Sequence, residues 1–161
     1  MDWYLSNTTD PEVRPLADRH YSRQKIGSRR FVPPGRALVL KTQPVDAYWV
    51  TSWPFAEFVK HEWAGAFICT AFRNEGKLLS SDLIKQAVSA TIWKYPDIPE
   101  LGMITFVDMQ KIRRGNPGYC FQMAGFRKVG KTKVRGLIAL QLLRNDFPKK
   151  HEPNNCIKGL F

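Results

Sequence analysis

The segment from Gly65 to Lys94 most constrains what this chain can fold into, because it joins an apolar strand to a long amphipathic helix. Residues 65–72 are apolar on both faces, which is typical of a central strand covered on either side. Residues 80–94 predict a helix that ends at Tyr95-Pro96. Its apolar face comprises Leu83, Ile84, Ala87, Val88 and Thr91. Ser80 or Ser81 is expected to cap the helix start.

Shorter elements surround this unit. Strands are predicted at residues 37–41, 47–51, 103–107, 125–128 and 137–142, and short helices within 14–23, 53–64 and 117–124. Residues 1–13 are predicted to form an arm, and the tail beyond residue 146 has no periodic element. The order predicts one α/β (α+β) domain over residues 1–161, with a mixed central sheet flanked by helices.

The chain is strongly basic, with 25 Lys and Arg against 14 Asp and Glu, a net charge of +11. Residues 14–41 hold eight basic residues and one acid, and residues 111–135 hold eight basic residues and none. Residues 42–110 between them carry a net charge of −3. Aromatic residues lie within both basic blocks, a pattern that favours nucleic acid as partner over a merely solvated basic face. The candidate DNA contacts are Arg23, Arg29, Arg30, Lys111, Arg113 and Arg114.

Several classes of protein are disfavoured. No run approaches the ~18 apolar residues of a membrane-spanning helix, and the first residues do not have the pattern of a secretory signal. The three cysteines, Cys69, Cys120 and Cys156, are widely spaced and odd in number, so they predict buried or surface thiols in a reducing compartment. We expect an intracellular protein with no membrane partner. The sequence leaves open whether it is a monomer or a dimer.

The turn between the strand and the helix has the form of an anion site. Unpaired N–H groups at a helix start and the helix dipole both favour a phosphate there. Lys77 and the Ser80 and Ser81 hydroxyls would add to it, although Asp82 in the first turn also suits plain helix stabilisation. The Walker A and GxGxxG patterns are absent, which disfavours a nucleoside triphosphate or a dinucleotide.

Arg73-x-x-Gly76-x-Leu78 resembles the pyrophosphate loop of the GCN5-related N-acetyltransferases, with Leu78 where that family has Gly or Ala. Ala124-Gly125-Phe126 resembles that family's late helix-to-strand turn. The resemblance implies an acyl-coenzyme A donor or a related acyl donor, and a tyrosine, here Tyr119, that protonates the departing thiolate. The residues implied for the donor are Arg73, Gly76, Lys77, Leu78, Ser80 and Ser81.

Five short motifs across residues 17–143 resemble a narrower family, the Mom-type DNA-modification proteins of bacteriophages, a divergent acetyltransferase-like branch. They are Asp18-Arg19-His20-Tyr21-Ser22-Arg23, Phe72-Arg73-Asn74-Glu75-Gly76, Leu79-Ser80-Ser81-Asp82-Leu83-Ile84, Thr105-Phe106-Val107-Asp108 and Pro117-Gly118-Tyr119-Cys120-Phe121. The resemblance implies transfer of an acyl-derived, carbamoylmethyl-type group to adenine N6 in DNA, which protects phage DNA from restriction. It also implies bound iron, with His20 and Asp108 as the candidate ligands.

The residues themselves are compatible with this chemistry. Adenine N6 is a poor nucleophile, and in a duplex it is paired, so an enzyme takes a single strand or flips the base out. His20 is a candidate general base or metal ligand, against a routine surface imidazole, and Tyr21 a candidate stacking or proton-relay residue, against a buried tyrosine. Asp108 ends a strand, where α/β folds place ligands. Arg73 is expected to meet a phosphate, unless Glu75 or Asp108 pairs with it.

The sequence is also compatible with two other functions. One is an ordinary acetyl-coenzyme A-dependent N-acetyltransferase of a small or protein amine, and the other is a non-enzymatic basic DNA-binding module. The first predicts turnover without DNA, and the second predicts salt-dependent DNA binding with no coenzyme A pocket.

Overall fold

A computed structural model describes residues 1–20, 23, 25–109 and 118–155. Its elements are the strands β1 (Tyr4–Leu5), β2 (Ala37–Lys41), β3 (Ala47–Ser52), β4 (Phe67–Asn74), β5 (Met103–Val107), β6 (Arg127–Lys131) and β7 (Ile138–Leu142), and the helices α1 (Arg14–Asp18), α2 (Ser80–Lys94) and α3 (Tyr119–Met123). The predictions made for Tyr21, Lys111, Arg113 and Arg114 lie outside the described residues.

The strands form one mixed sheet in the order β1-β2-β3-β4-β5-β7-β6. All neighbours run antiparallel except β4 and β5, which are parallel. A parallel pair needs a crossover connection, and α2 supplies it between those two strands. The α+β fold class and the mixed central sheet predicted from the sequence are confirmed.

Side chains alternate between the two faces of this sheet. Leu40, Trp49, Phe67 and Met103 face α2 and join its buried face in the largest core cluster. The opposite face is covered over β2 and β3 by α1, where Leu16 and Ala17 pack against Val39, Tyr48 and Val50. Over β5 and β7 that same opposite face carries a small cluster of Trp63, Ile104 and Ala139.

The predicted N-terminal arm is wrong. Trp3 is fully buried, its indole Nε1 donates a 2.7 Å hydrogen bond to the Leu83 carbonyl, and β1 pairs with β2. The first residues are mostly polar and lack periodicity, so their few packed apolar residues, such as Trp3 and the fully buried Val13, form no pattern that a sequence window records. The tail also reaches this edge, because the Asn154 amide donates to the Trp3 carbonyl.

Element bounds differ at the ends. The helix predicted at 80–94 has those bounds, whereas the one predicted within 14–23 ends at Asp18 and the one within 53–64 is a single 3-10 turn at Ala56–Phe58. The central strand runs two residues further than predicted, to Asn74. In the part of the chain that the structure describes, no helix has the length and apolar character needed to cross a membrane.

Candidate active site

The centre of the sheet opens where β4 and β5 separate. The two strands pair only from Phe67↔Met103 to Cys69↔Thr105, although β4 continues to Asn74. On the other side of β4 the register with β3 shifts between Val50 and Thr51, so Thr70 is an extra residue, a β-bulge. A bulge bends its strand and raises local twist, which accounts for the separation of the strands. Among the described residues, the β5-facing edge of β4 beyond Cys69 has no strand partner.

This opening forms a cavity of about 290 Å³ between β4, β5 and the start of α3. It brings together three residues that the sequence analysis singled out, His20, Arg73 and Ser80. Thr105 and Cys120 also line it, and the Thr105 hydroxyl donates a 3.1 Å hydrogen bond to the Cys69 carbonyl. We call this space the donor cavity.

His20 is buried beside the donor cavity just after α1. Its ring packs edge-on against Tyr48, with centroids 6.3 Å apart. Burial and the nearby Arg73 charge lower the pKa of His20 to about 4, and a hydrogen bond with the Phe72 backbone opposes them only partly. The imidazole is therefore neutral at pH 7, the form that a general base requires.

Arg73 has an acidic partner within the protein. Glu75 pairs with Arg73 and also with Arg19, at 2.8 Å, and Arg73 Nη1 donates to the Arg19 carbonyl at 3.1 Å. The two guanidinium groups lower the pKa of Glu75 to about 2. Arg73 thus has the Glu75 ion pair that the sequence offered as an alternative to a bound phosphate. Through Arg19, the same carboxylate fixes the chain beside His20 to the end of β4.

Asn74 organises the loop between β4 and α2, a role that the sequence analysis missed. Its side-chain carbonyl accepts the Gly76 N–H at 2.9 Å, and its amide nitrogen donates to the Leu78 carbonyl at 2.7 Å and to Ser80 Oγ at 3.0 Å. An Asn two residues before a Gly is typical of an Asx-turn, which is the signal that could have identified it.

The predicted serine cap of α2 is wrong. Leu79 is the N-cap residue, no side chain caps the helix, and Ser80 and Ser81 are its first two helical residues. Among the described residues, none accepts the backbone N–H of Ser80 or Ser81. Lys77 and Leu78 are exposed beside this start, and neither lines the donor cavity.

Gly76 is explained by packing. A Cβ at this position would overlap the Asp46 carboxylate, which Thr42 holds in the turn between β2 and β3. The Glu75 amide also donates to the Asp46 carbonyl at 2.7 Å. The glycine therefore lets the β4–α2 loop lie directly on this turn.

Asp108 and Tyr119 lie beside the donor cavity and do not line it. Asp108 follows β5 and lies 3.9 Å from the Arg135 guanidinium, and Tyr119, the first residue of α3, is 57% exposed. Across the described residues there is no group of three or more His, Cys, Asp or Glu side chains able to hold a metal ion. His20 and Asp108, the two candidate iron ligands, therefore do not belong to such a group in that part of the chain.

Cys69 and Cys120 are free thiols that line the donor cavity. Burial raises the pKa of both, so the thiols stay protonated at neutral pH. Protonated thiols are weak nucleophiles. This agrees with the prediction of ordinary buried or surface thiols for these two residues, whereas Cys156 lies outside the described residues.

A second pocket, of about 500 Å³, adjoins the donor cavity, and Thr70 and Ala71 line both. We call it the acceptor pocket. It is lined by Phe31 and Tyr48 and by three cations, Arg23, Lys25 and Arg30.

Two of these cations are already bonded within the protein. The Arg23 side chain is only 7% exposed and donates to Asp18 at 2.8 Å and to the Ser28 carbonyl at 2.6 Å. Arg30 donates to the Val32 carbonyl and Thr8, while Arg29 is exposed. Arg23 therefore organises its own loop, and its role as a DNA contact stays a prediction.

The fold matches that of known acetyltransferases. A structure of AAC(6')-Ib in complex with ribostamycin and coenzyme A aligns with a TM-score of 0.63 at 13% identity, covering 91% of this chain and 96% of that one. A second structure, of the aminoglycoside acetyltransferase AAC(6')-Ib in complex with coenzyme A, aligns with a TM-score of 0.57 at 13% identity, covering 90% and 96%. No protein-family model and no curated protein sequence matches the chain. The chain therefore has the fold of the GCN5-related N-acetyltransferases, as its sequence motifs predicted.

Proposed function

We propose that this protein is an acyl-coenzyme A-dependent transferase that modifies adenine N6 in DNA with an acyl group, rather than with the carbamoylmethyl group itself, which is joined to N6 through a CH2 carbon. The observation that carries the proposal is the junction of two sites at the β-bulge. Thr70 and Ala71 line both the donor cavity and a pocket of cations and aromatic rings. A donor and a flipped base could meet there across the sheet.

The donor cavity suits an extended thioester carrier. The arm of coenzyme A contains two amides, which can hydrogen-bond to the β5-facing edge of β4 beyond Cys69. The N–H groups at the start of α2 suit its pyrophosphate. When bound, acyl-coenzyme A supplies an activated carbonyl carbon. Both AAC(6')-Ib structures contain coenzyme A, which supports this choice of donor.

The acceptor pocket suits an anionic, aromatic acceptor better than a polycation. Lys25 and Arg30 attract phosphates, no acid is among the described residues that line the pocket, and the half-buried Phe31 offers a ring for stacking a base. An aminoglycoside carries several ammonium groups, which these cations would repel.

His20 is the residue that we assign to the proton. As the N–C bond forms between adenine N6 and the acyl carbon, the C–S bond breaks and the neutral imidazole of His20 accepts the N6 proton, so that the product is an N6-acyladenine. The departing sulfur takes up a proton in turn, from Tyr119 by the family resemblance. The described residues do not present a metal-ligand cluster around His20, and the proton transfers proposed above do not involve iron.

The test is mass spectrometry of nucleosides prepared from the DNA of cells that express the protein. We expect a modified deoxyadenosine with the wild type, a loss of about 100-fold or more for His20→Gln, and no loss for the exposed His151→Gln control. The modified DNA should also resist restriction enzymes that read adenine. An unmodified deoxyadenosine profile with soluble, folded protein would contradict the DNA proposal. Acetyl-coenzyme A turnover with amines alone would then favour an ordinary N-acetyltransferase.

A further inference from the structure

A third pocket, of about 480 Å³, lies on the sheet face opposite α2, between the segment 60–63, β5 and the turn joining β6 to β7. One wall is aromatic. The His61 ring lies 5.1 Å from the Phe106 ring, and the Trp63 ring lies 5.8 Å from Phe106, between centroids. We call this the hairpin pocket.

The other wall of the hairpin pocket is basic. Lys131, Lys133 and Arg135 come from β6 and the turn after it. Lys60 also lines the pocket, and Glu62 is the one acid among the described lining residues. Of these cations only Arg135 forms an ion pair with a described carboxylate, that of Asp108 at 3.9 Å. All five residues of β6 are exposed, so Arg127 and Lys128 extend the positive charge along the edge of the sheet.

His61 contributes a ring without a charge. Its Nδ1 accepts the Trp63 N–H at 3.1 Å, which leaves the proton of the neutral ring on Nε2. Burial lowers the pKa of His61, so this neutral form dominates at pH 7. The wall therefore offers an uncharged aromatic surface, and the positive charge comes from the lysines and Arg135.

The pocket is connected to the proposed active site. Phe106 lines both the hairpin pocket and the donor cavity. Phe106 and Ile104 lie on the sheet face that also carries Tyr48 and Ala71 of the acceptor pocket. Two pockets that combine rings with cations thus flank the opening between β4 and β5 on one face of the sheet.

We infer that the hairpin pocket binds a nucleotide of a single-stranded nucleic-acid segment, with the base against His61 and Phe106 and the flanking phosphates on Lys131, Lys133 and Arg135. Rings alone would suit any apolar ligand, and cations alone any anion, but a nucleotide needs both side by side. A second copy of this basic chain would be repelled from the same surface. The inference rests on the proposed function only for the identity of the strand, which would be the one carrying the target adenine.

Fluorescence anisotropy tests the charged wall, with a labelled 12-nucleotide single strand as probe. Lys131→Gln/Lys133→Gln should lower affinity about tenfold and reduce the slope of log K against log salt by about 1.4. Lys149→Gln/Lys150→Gln is the matched control, because both lysines are exposed and neither lines a pocket described above. An equal loss in both double variants, or no binding by the wild type, would overturn the inference.

A second measurement tests the aromatic wall. His61→Asn keeps an acceptor for the Trp63 N–H and removes the ring, and we expect it to weaken binding of the same strand about tenfold. A 2-aminopurine base in the strand should lose fluorescence on binding the wild type and recover it in the variant. If a polyglutamate peptide of equal charge competes as well as the oligonucleotide, the site recognises charge only and the inference fails. These readouts do not need DNA modification, so failure of the proposed function is recognised separately, by the nucleoside analysis.

Discussion

Arg19 and Glu75, 56 positions apart in the chain, are joined by two parallel hydrogen bonds of 2.8 Å each, from Nε and Nη2 of the arginine to the two carboxylate oxygens. The same carboxylate pairs with Arg73. One acid thereby connects the residue preceding His20 to the strand end at the mouth of the donor cavity. This network requires Glu75 to be ionised.

Glu75→Gln should lower the thermal unfolding midpoint at pH 7. The folded-state pKa of Glu75 is about 2, below its ordinary 4.5, so its stabilisation is complete above pH 4.5 and is lost as the pH falls towards 2. The difference in midpoint between wild type and variant should therefore shrink between pH 7 and pH 3. Glu57→Gln is the control, since Glu57 is exposed and has no ion pair among the described residues. Equal midpoints at pH 7 would show that the network contributes nothing.

Asn74→Asp should weaken acetyl-coenzyme A binding about tenfold, measured by isothermal titration calorimetry. The aspartate keeps an acceptor for the Gly76 N–H but loses both donors, to Leu78 and Ser80, each worth about 1 kcal/mol. It also adds a negative charge where the pyrophosphate is proposed to lie. The exposed Asn145→Asp substitution should leave the dissociation constant unchanged. Unchanged binding by a folded Asn74→Asp protein would argue against this loop as the donor site.

His20 should make the protein sensitive to mild acid. Its pKa falls from 6.5 to about 4 on folding, so the unfolded chain binds the extra proton first, and stability decreases as the pH falls from 6.5 towards 4. The loss is at most about 3 kcal/mol. Urea unfolding of His20→Gln between pH 7 and pH 4 should show a flatter dependence than the wild type. Parallel curves for the two proteins would contradict the burial of this imidazole.

Asp10→Asn should destabilise the fold by about 3 kcal/mol, because it leaves the buried Lys41 ammonium without its closest charge partner. The two groups lie 2.7 Å apart, with side chains only 7% and 6% exposed. Burial by itself would raise the pKa of Asp10, but Lys41 and Ser6 lower it below its ordinary value. Urea unfolding at pH 7 measures the effect, with the exposed Asp97→Asn as control. A loss no larger than that of the control would show that Glu12, 3.1 Å from Lys41, suffices alone.

Part of the candidate active site could be predicted from the sequence. His20, Arg73 and Ser80 were singled out by short motifs, and the structure brings them to one cavity. Asn74 was read only as part of a turn, because its three hydrogen bonds depend on the path of the following residues. The sequence offered two acids, Glu75 and Asp108, as ion-pair partners of Arg73. In the structure Arg73 pairs with Glu75, where the end of α1 packs against β4.

The sequence by itself determined the order of strands and helices around β4 and α2, because apolar periodicity is a local property that a window of residues records. It also determined that positive charge is concentrated in two blocks. Only the tertiary structure decided that Thr70 forms a bulge, that β4 and β5 separate beyond Cys69, and that Trp3 is buried. It likewise placed three pockets around that opening. These features depend on which strands become neighbours and in what register, and such pairing is settled by contacts between distant segments.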